Sequence, residues 1–290
     1  MVSRLSCRLF SSFLCVAAGL LLATMTSSYV IAAERLADVA PLPGVPSLTV
    51  ALPDGTSAHM YPTVSLDAAR KRALGSRTLA NVTYHAGGRI NTSTQIFTIY
   101  WKPPTLQTGA ATSIPASYIK VLQHMLGNYA GHAIANINTQ YFQIVSGVTS
   151  YHSGLGGLGG TFTDTAAYPP SGCTDTFTPG NCINDTQIRN EVAKVMSIKG
   201  WTPGFNKIYL LFTSSGEGSC MSSASTSCAY VQYCAYHGFF GSATNPVIYG
   251  NEPFGNNSIC QVAGPLPNAG TSDSAATAAR HEGGDNRPAA

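Results

Sequence analysis

Residues 207–260 constrain the fold of this chain more than any other stretch. They open with the apolar, β-prone run Lys207-Ile-Tyr-Leu-Leu-Phe-Thr213 and pass through a Gly/Ser loop to Cys220. The chain continues as Cys228-Ala-Tyr-Val-Gln-Tyr-Cys234-Ala-Tyr-His237, then Pro246-Val-Ile-Tyr249, and ends this stretch at Cys260. Two β-rich runs framing closely spaced cysteines predict a disulfide-stapled sheet hairpin rather than a helix.

Oxidised cysteines require an oxidising compartment, and the N-terminal residues point to one. Arg4 and Arg8 form a basic n-region, residues 10–25 are mostly apolar, and Val30-Ile31-Ala32 places small residues at the cleavage positions. This is the pattern of a secretory signal over residues 1–32. The apolar core is shorter than the roughly 20 residues that span a bilayer, and no later segment replaces it. The expectation is a secreted, extracellular or periplasmic protein with no transmembrane anchor after cleavage. Cys7 and Cys15 leave with the signal, so six of the eight cysteines remain, an even number that favours disulfides over a thiolate metal site. Cys173 and Cys182 are close enough in sequence to close their own loop. Cys220, Cys228, Cys234 and Cys260 allow three pairings. Cys220 with Cys228, closing the Ser-rich loop, and Cys234 with Cys260, tying the hairpin to the exit of the next strand, are favoured.

Loss of Arg4 and Arg8 lowers the formal net charge from +3 to +1, which gives nucleic acid or an anionic membrane little to attract. Charged residues make up 10% of the chain, against roughly 25% in typical soluble domains. The surface is therefore expected to be neutral and polar.

Residues 33–80 carry Pro41, Pro43, Pro46, Pro53 and Pro62, each lacking a backbone donor, and read as an extended leader or propeptide-like arm with a short basic helix at 66–74. The folded domain is expected over residues 81–290. Gln95-Ile-Phe-Thr-Ile-Tyr-Trp101 is a buried strand stopped by Pro103-Pro104. Pro115 opens a helix with Ile119, Leu122, Met125 and Leu126 on one face, ended by Gly127-Asn128. Tyr141-Phe-Gln-Ile-Val145 is a short strand. Residues 146–184 form a loop-rich insertion in which Gly154, Gly156, Gly157, Gly159 and Gly160 are not a phosphate cradle, since no Lys-Ser/Thr follows. Asp185 is placed to cap a helix over 186–199 with Ile188, Val192, Val195 and Met196 on its apolar face. The Ala-rich run 273–279 predicts a last helix leading into Arg280-His281-Glu282. The fold class is α+β, a single mixed β-sheet domain with packed helices.

Several spaced motifs over residues 81–282 resemble the phosphate-induced, or EXORDIUM-like, family of extracellular proteins. They are Asn81-Val-Thr-Tyr-His-Ala-Gly-Gly88, the 96–101 strand, Leu210-Leu-Phe-Thr213 with Gly218-Ser-Cys220, the 228–237 segment, Pro246-Val-Ile-Tyr249 and Cys260. The resemblance implies export and a C-terminal helix bearing a Ser-His-Glu-x-x-Glu motif followed by Thr-Asp-Pro. A histidine and a carboxylate four residues apart share a helix face, and the intervening glutamate can act on a bound water, which is the logic of zinc hydrolases. The element order is also similar to zincin-type peptidases, an analogy of architecture alone. The residues that carry this reading over are His281 and Asp285 as metal ligands and Glu282 as the catalytic group, with zinc as the cofactor.

The continuation departs from the family pattern: Gly283-Gly284-Asp285-Asn286-Arg287-Pro288 comes after Glu282. Each glycine costs roughly 1 kcal/mol inside a helix, and Pro288 stops it. A catalytic zinc takes three protein ligands; two candidates lie here, and a distant His237 or His152 is the candidate third. The expectation is an incomplete site in a C-terminus that is frameshifted or truncated, a one-base change near Gly283 restoring Thr-Asp-Pro.

Other chemistry is weaker. Ser219 is followed by Cys220 and Met221, so no Gly-x-Ser-x-Gly elbow forms. No spacing selects a glycosidase pair among Asp164, Asp175, Asp185 and Glu217, which read as turn or cap residues. Two function classes remain. One is a metallohydrolase-like protein acting on extracellular polypeptide or another polymer. The other is a non-catalytic cell-wall polysaccharide binder with Tyr230, Tyr233, Tyr236, Phe239 and Phe240 as its aromatic face.

Overall fold

The computed structural model describes residues 44, 46–75, 89–260, 268 and 270–284, without the side chains of residues 134, 257 and 282–284. The expected signal 1–32, the 81–88 motif and Asp285 lie outside the described residues. In chain order the elements are β1 (Thr49–Ala51), β2 (Ser57–Pro62), α1 (Val64–Leu74), β3 (Thr94–Trp101), α2 (Ala116–Gly127), α3 (Ala133–Ile137), β4 (Phe142–Val145), β5 (Val148–Tyr151), β6 (Gly156–Asp164), β7 (Cys182–Asn184), α4 (Asp185–Lys199), β8 (Lys207–Thr213), β9 (Gly218–Cys220), β10 (Tyr233–Ser242), β11 (Asn245–Glu252), α5 (Asn257–Cys260) and α6 (Gly270–Gly284).

Seven strands form one mixed sheet in the order β1-β2-β10-β11-β8-β3-β6. The half containing β11, β8, β3 and β6 is parallel, and the half containing β1, β2, β10 and β11 is antiparallel. Parallel strands joined by helical crossovers are buried on both faces, so their sequences read as continuous apolar runs. β8 shows this: Ile208, Leu210 and Phe212 face the layer of α2 and α6, while Tyr209 and Leu211 face α4. β3 divides in the same way, with Ile96 and Tyr100 on the first face and Phe97, Ile99 and Trp101 on the second. The expected α+β class is therefore the observed one.

The predicted helices form, with one change of detail. The N-cap of α4 is Asn184, which makes a capping box with Gln187, and Asp185 is the first helical residue. The disulfides are Cys173–Cys182, Cys220–Cys228 and Cys234–Cys260. Among the described residues no helix is long and apolar enough to cross a membrane.

Four expectations change. Within the Pro-rich stretch, residues 49–62 are not part of an extended arm: β1 pairs with β2 and β2 with β10, placing Met60 opposite Tyr236 and His59 opposite His237. Pro53 falls in the turn before β2 and Pro62 is its last residue, so Ser57 to Tyr61 keep their backbone donors. Arg189 of α4 then bonds Asp54 and Thr56 in the β1–β2 turn. The hairpin is made by β10 and β11, while β8 runs parallel to β11. Two of the disulfides lie outside it, and Cys234–Cys260 ties the start of β10 to α5.

The glycine run is not a loop but edge strand β6, parallel to β3. A Cβ at Gly156 would meet the Thr94 carbonyl oxygen at 2.0 Å, and one at Gly159 would meet the Phe97 ring at 2.7 Å. Only glycine permits this approach. Finally, Tyr230, Tyr233 and Tyr236 are buried and belong to the core beneath α4. A register shift between Tyr233 and Ala235 brings Tyr233 and Tyr236 into edge contact at 5.1 Å, where strict alternation would have separated them.

If β2 is a core strand, Met60→Ala, at a site 2% exposed, destabilises the protein by about 2–5 kcal/mol in urea denaturation. A detached arm would leave the midpoint unchanged.

Candidate functional site

The sheet face under α6 collects three of the chain's seven histidines. On β2, Ala58 and Met60 point to the α4 core, so His59 points to the other face, and Tyr61, near the strand end, touches both that core and His281. On β10, His237 sits directly opposite His59 and also opposite Gly250 of β11, which has no side chain to fill the space above it. The α6 face that meets the sheet is small, with Ala275, Ala278 and Ala279 buried. A helix surface of alanines lets its axis approach the strands closely and carries His281 down to them.

The result is a cluster of three imidazoles from three elements. The His59 and His237 ring centroids are 5.5 Å apart, and those of His59 and His281 are 6.1 Å apart. Tyr61 packs on His281 at 5.1 Å. His237 is 3% exposed, and His281 Nε2 is buried with no hydrogen-bond partner among the described residues. Glu252, two residues after Gly250 on β11 and 1% exposed, lies on the same sheet face.

This donor set suits a borderline-soft divalent ion. With Zn–N bonds of about 2.0–2.1 Å in tetrahedral geometry, imidazole centroids around one ion stand roughly 5 Å apart. The rings are close to that spacing, but their nitrogens are not turned to a common point. Among the described residues the only set of three ligand atoms within 4.8 Å of one another is Cys173, Cys182 and Cys220. Those sulfurs are in disulfides, with Cys182 and Cys220 in contact at 3.6 Å, and a cystine sulfur is not a thiolate donor.

Of the expected site residues, His281 and His237 are brought together. Glu282 follows His281 on α6, its side chain not described, and Asp285 is outside the described residues. His152 is engaged elsewhere: its Nε2 lies 3.3 Å from Thr94 Oγ1, and its Nδ1 accepts from the Gly154 amide. His59 was not legible as a partner, because nothing in the spacing of residues 57–62 reveals which strand they pair with.

The four carboxylates do not form a glycosidase pair. Asp175 closes a turn by accepting from the amides of Phe177 and Thr178. Asp185 accepts from Tyr236 and Tyr249 and pairs with Arg189. Asp164 pairs with Lys194, which also reaches Glu191. Burial opposes the Asp164 charge, but hydrogen bonds from Glu191 and Lys194 hold its carboxyl down at about 2. Burial, then the hydrogen bond shared with Asp164, pushes Glu191 up to about 8. A polar residue on the apolar face of α4 is the sequence signal for Glu191. Glu217 is fully buried and accepts from Gln107 through Oε1, and burial pushes its carboxyl up to about 8.

No protein-family model, no curated protein and no solved structure matches the chain.

The Glu217 shift fixes a pH dependence. The folded chain keeps this proton to about pH 8, whereas the unfolded chain releases it near the ordinary value of 4.5. The folded state therefore binds more protons in that window, and stability falls as pH rises through it. Glu217→Gln removes this share, so the variant loses less stability than wild type between about pH 5 and about pH 8 in paired chemical denaturations. Equal losses would mean that Glu217 ionises normally in the fold.

Proposed function

We propose that this is an exported, EXORDIUM-like metallohydrolase-like protein whose zinc is held by His281 of α6 with His59 and His237 of the sheet. The observation that carries this reading is the proximity of the three imidazole rings, with His281 Nε2 buried and unpaired among the described residues. Export is supported by the signal-like residues 1–32 and by the three disulfides, which persist in oxidising compartments.

Bound zinc would supply a water ionised near neutral pH in the position left by three histidines. The chain's own residues do the rest. The β2–β10 pairing fixes His59 beside His237, so two ligands come from a rigid sheet and need no loop ordering. Tyr61 packs against His281 and limits the rotation of its ring. Glu282, next to His281, is the proposed base.

The purified protein is expected to retain about one zinc per chain after dialysis against metal-free buffer, as read by elemental analysis. His59→Ala, His237→Ala and His281→Ala should each weaken zinc binding by about 100-fold or more, and hydrolysis of unfolded polypeptide substrate should fall in parallel. Zinc retained equally in all three variants, or absent from the wild type after loading, would refute the site.

A further inference from the structure

A second cleft lies where β8 and β11 end, at the opposite end of α6 from His281. Its volume is about 310 Å³, at the small end of the roughly 300–1,000 Å³ typical of ligand pockets. Phe177 and Tyr230 supply aromatic walls, and Thr178, Ser215, Asn256 and Thr271 supply hydroxyls and an amide. Among the described residues no Asp, Glu, Lys or Arg lines it. The nearest acid in sequence, Glu217 beside Gly216, is buried with its carboxyl raised to about 8, which leaves it uncharged at neutral pH.

The walls are held in place before any ligand arrives. The Cys173–Cys182 disulfide closes the loop bearing Phe177 and Thr178, and within it buried Asp175 fixes both residues through their amides and the Thr178 hydroxyl. Cys220–Cys228 closes the neighbouring loop that leads to Tyr230, and the two cystines touch at 3.6 Å. Tyr230 adopts φ 63°, an unfavourable conformation for a bulky residue, and is held there by hydrogen bonds that its amide donates to the Tyr233 carbonyl and its hydroxyl donates to the Phe254 carbonyl. Phe177 stands on the Tyr230 ring at 4.8 Å and is 45% exposed. The side-chain carbonyl oxygen of Asn256 accepts from the Ser258 and Ile259 amides, which leaves its amide nitrogen for a ligand.

A rigid, exposed aromatic face beside uncharged donors and acceptors selects for a ligand with an apolar C–H face and hydroxyls at its edge. We propose that this cleft binds a neutral saccharide ring, with Phe177 as the stacking platform and Thr178, Ser215, Asn256 and Thr271 reading the hydroxyls. The cleft is separate from the histidine cluster, so the two proposals stand or fall independently.

The test titrates neutral tetrasaccharides of glucose, xylose and mannose, with tetragalacturonic acid as the charged counterpart, into the oxidised full chain. Affinity is read by calorimetry and location by amide shifts. At least one neutral sugar should bind and shift the amides of Ser215, Gly216 and Thr271. Phe177→Ala should weaken binding about tenfold or more, while Phe177→Tyr should stay within about threefold of wild type. Both variants should keep the wild type's zinc content, whatever that is. The proposal is overturned if no neutral sugar binds at millimolar concentration, if Phe177→Ala binds as wild type does, or if tetragalacturonic acid binds best.

Discussion

Two-sided burial of β8 and β3 is the constraint on which the rest of the structure depends. Six of the seven β8 residues, Ile208 to Thr213, are buried. A strand with both faces in the core must be covered by helices above and below. α4 satisfies one side with Ile188, Val192 and Val195, and α2 with α6 satisfies the other. Each fully buried aliphatic or aromatic side chain contributes about 1.5–3 kcal/mol. Because α6 is required for this burial, its last turn is brought against the antiparallel half of the sheet, where His59 and His237 already stand side by side.

Polar groups follow the same logic in a chain with few charges. The ion pairs of α4 sit at its contacts with other elements. Arg189 joins Asp185 to the β1–β2 turn, and Lys194 lies between Glu191 and Asp164 at the end of β6. Buried ion pairs add little net stability over apolar packing, but losing one partner is costly because the other charge is stranded. These contacts therefore fix where α4 sits between β2 and β6. The cystines act similarly at the other end, holding the 173–182 and 220–228 loops against each other, where β7 pairs with β9.

Local chemistry was legible wherever neighbouring residues decide the outcome. The β3 and β8 runs, the α2 and α4 periodicities and the closing of short cysteine loops are set by residues within a few positions of each other. Partner-dependent features were not. The glycines of β6 look like a loop until Phe97 and Trp201 are placed beside them, and Tyr233 reads as facing away from Tyr236 until the bulge shifts the register. Likewise the prolines of residues 41–62 suggest an arm, although five of the six β2 residues retain the donors a strand needs.

The amino-acid sequence by itself determined the α+β class, the positions of the central strands and long helices, and the short-range cystines. Those properties depend on propensity, periodicity and loop closure, which act over short separations along the chain. Only the tertiary structure decided that residues 57–62 join the sheet, that His59 stands beside both His237 and His281, and that two cystine-bound loops flank a cleft. Such features are set by which strands pair and in what register, and that choice minimises exposed apolar surface over the whole chain.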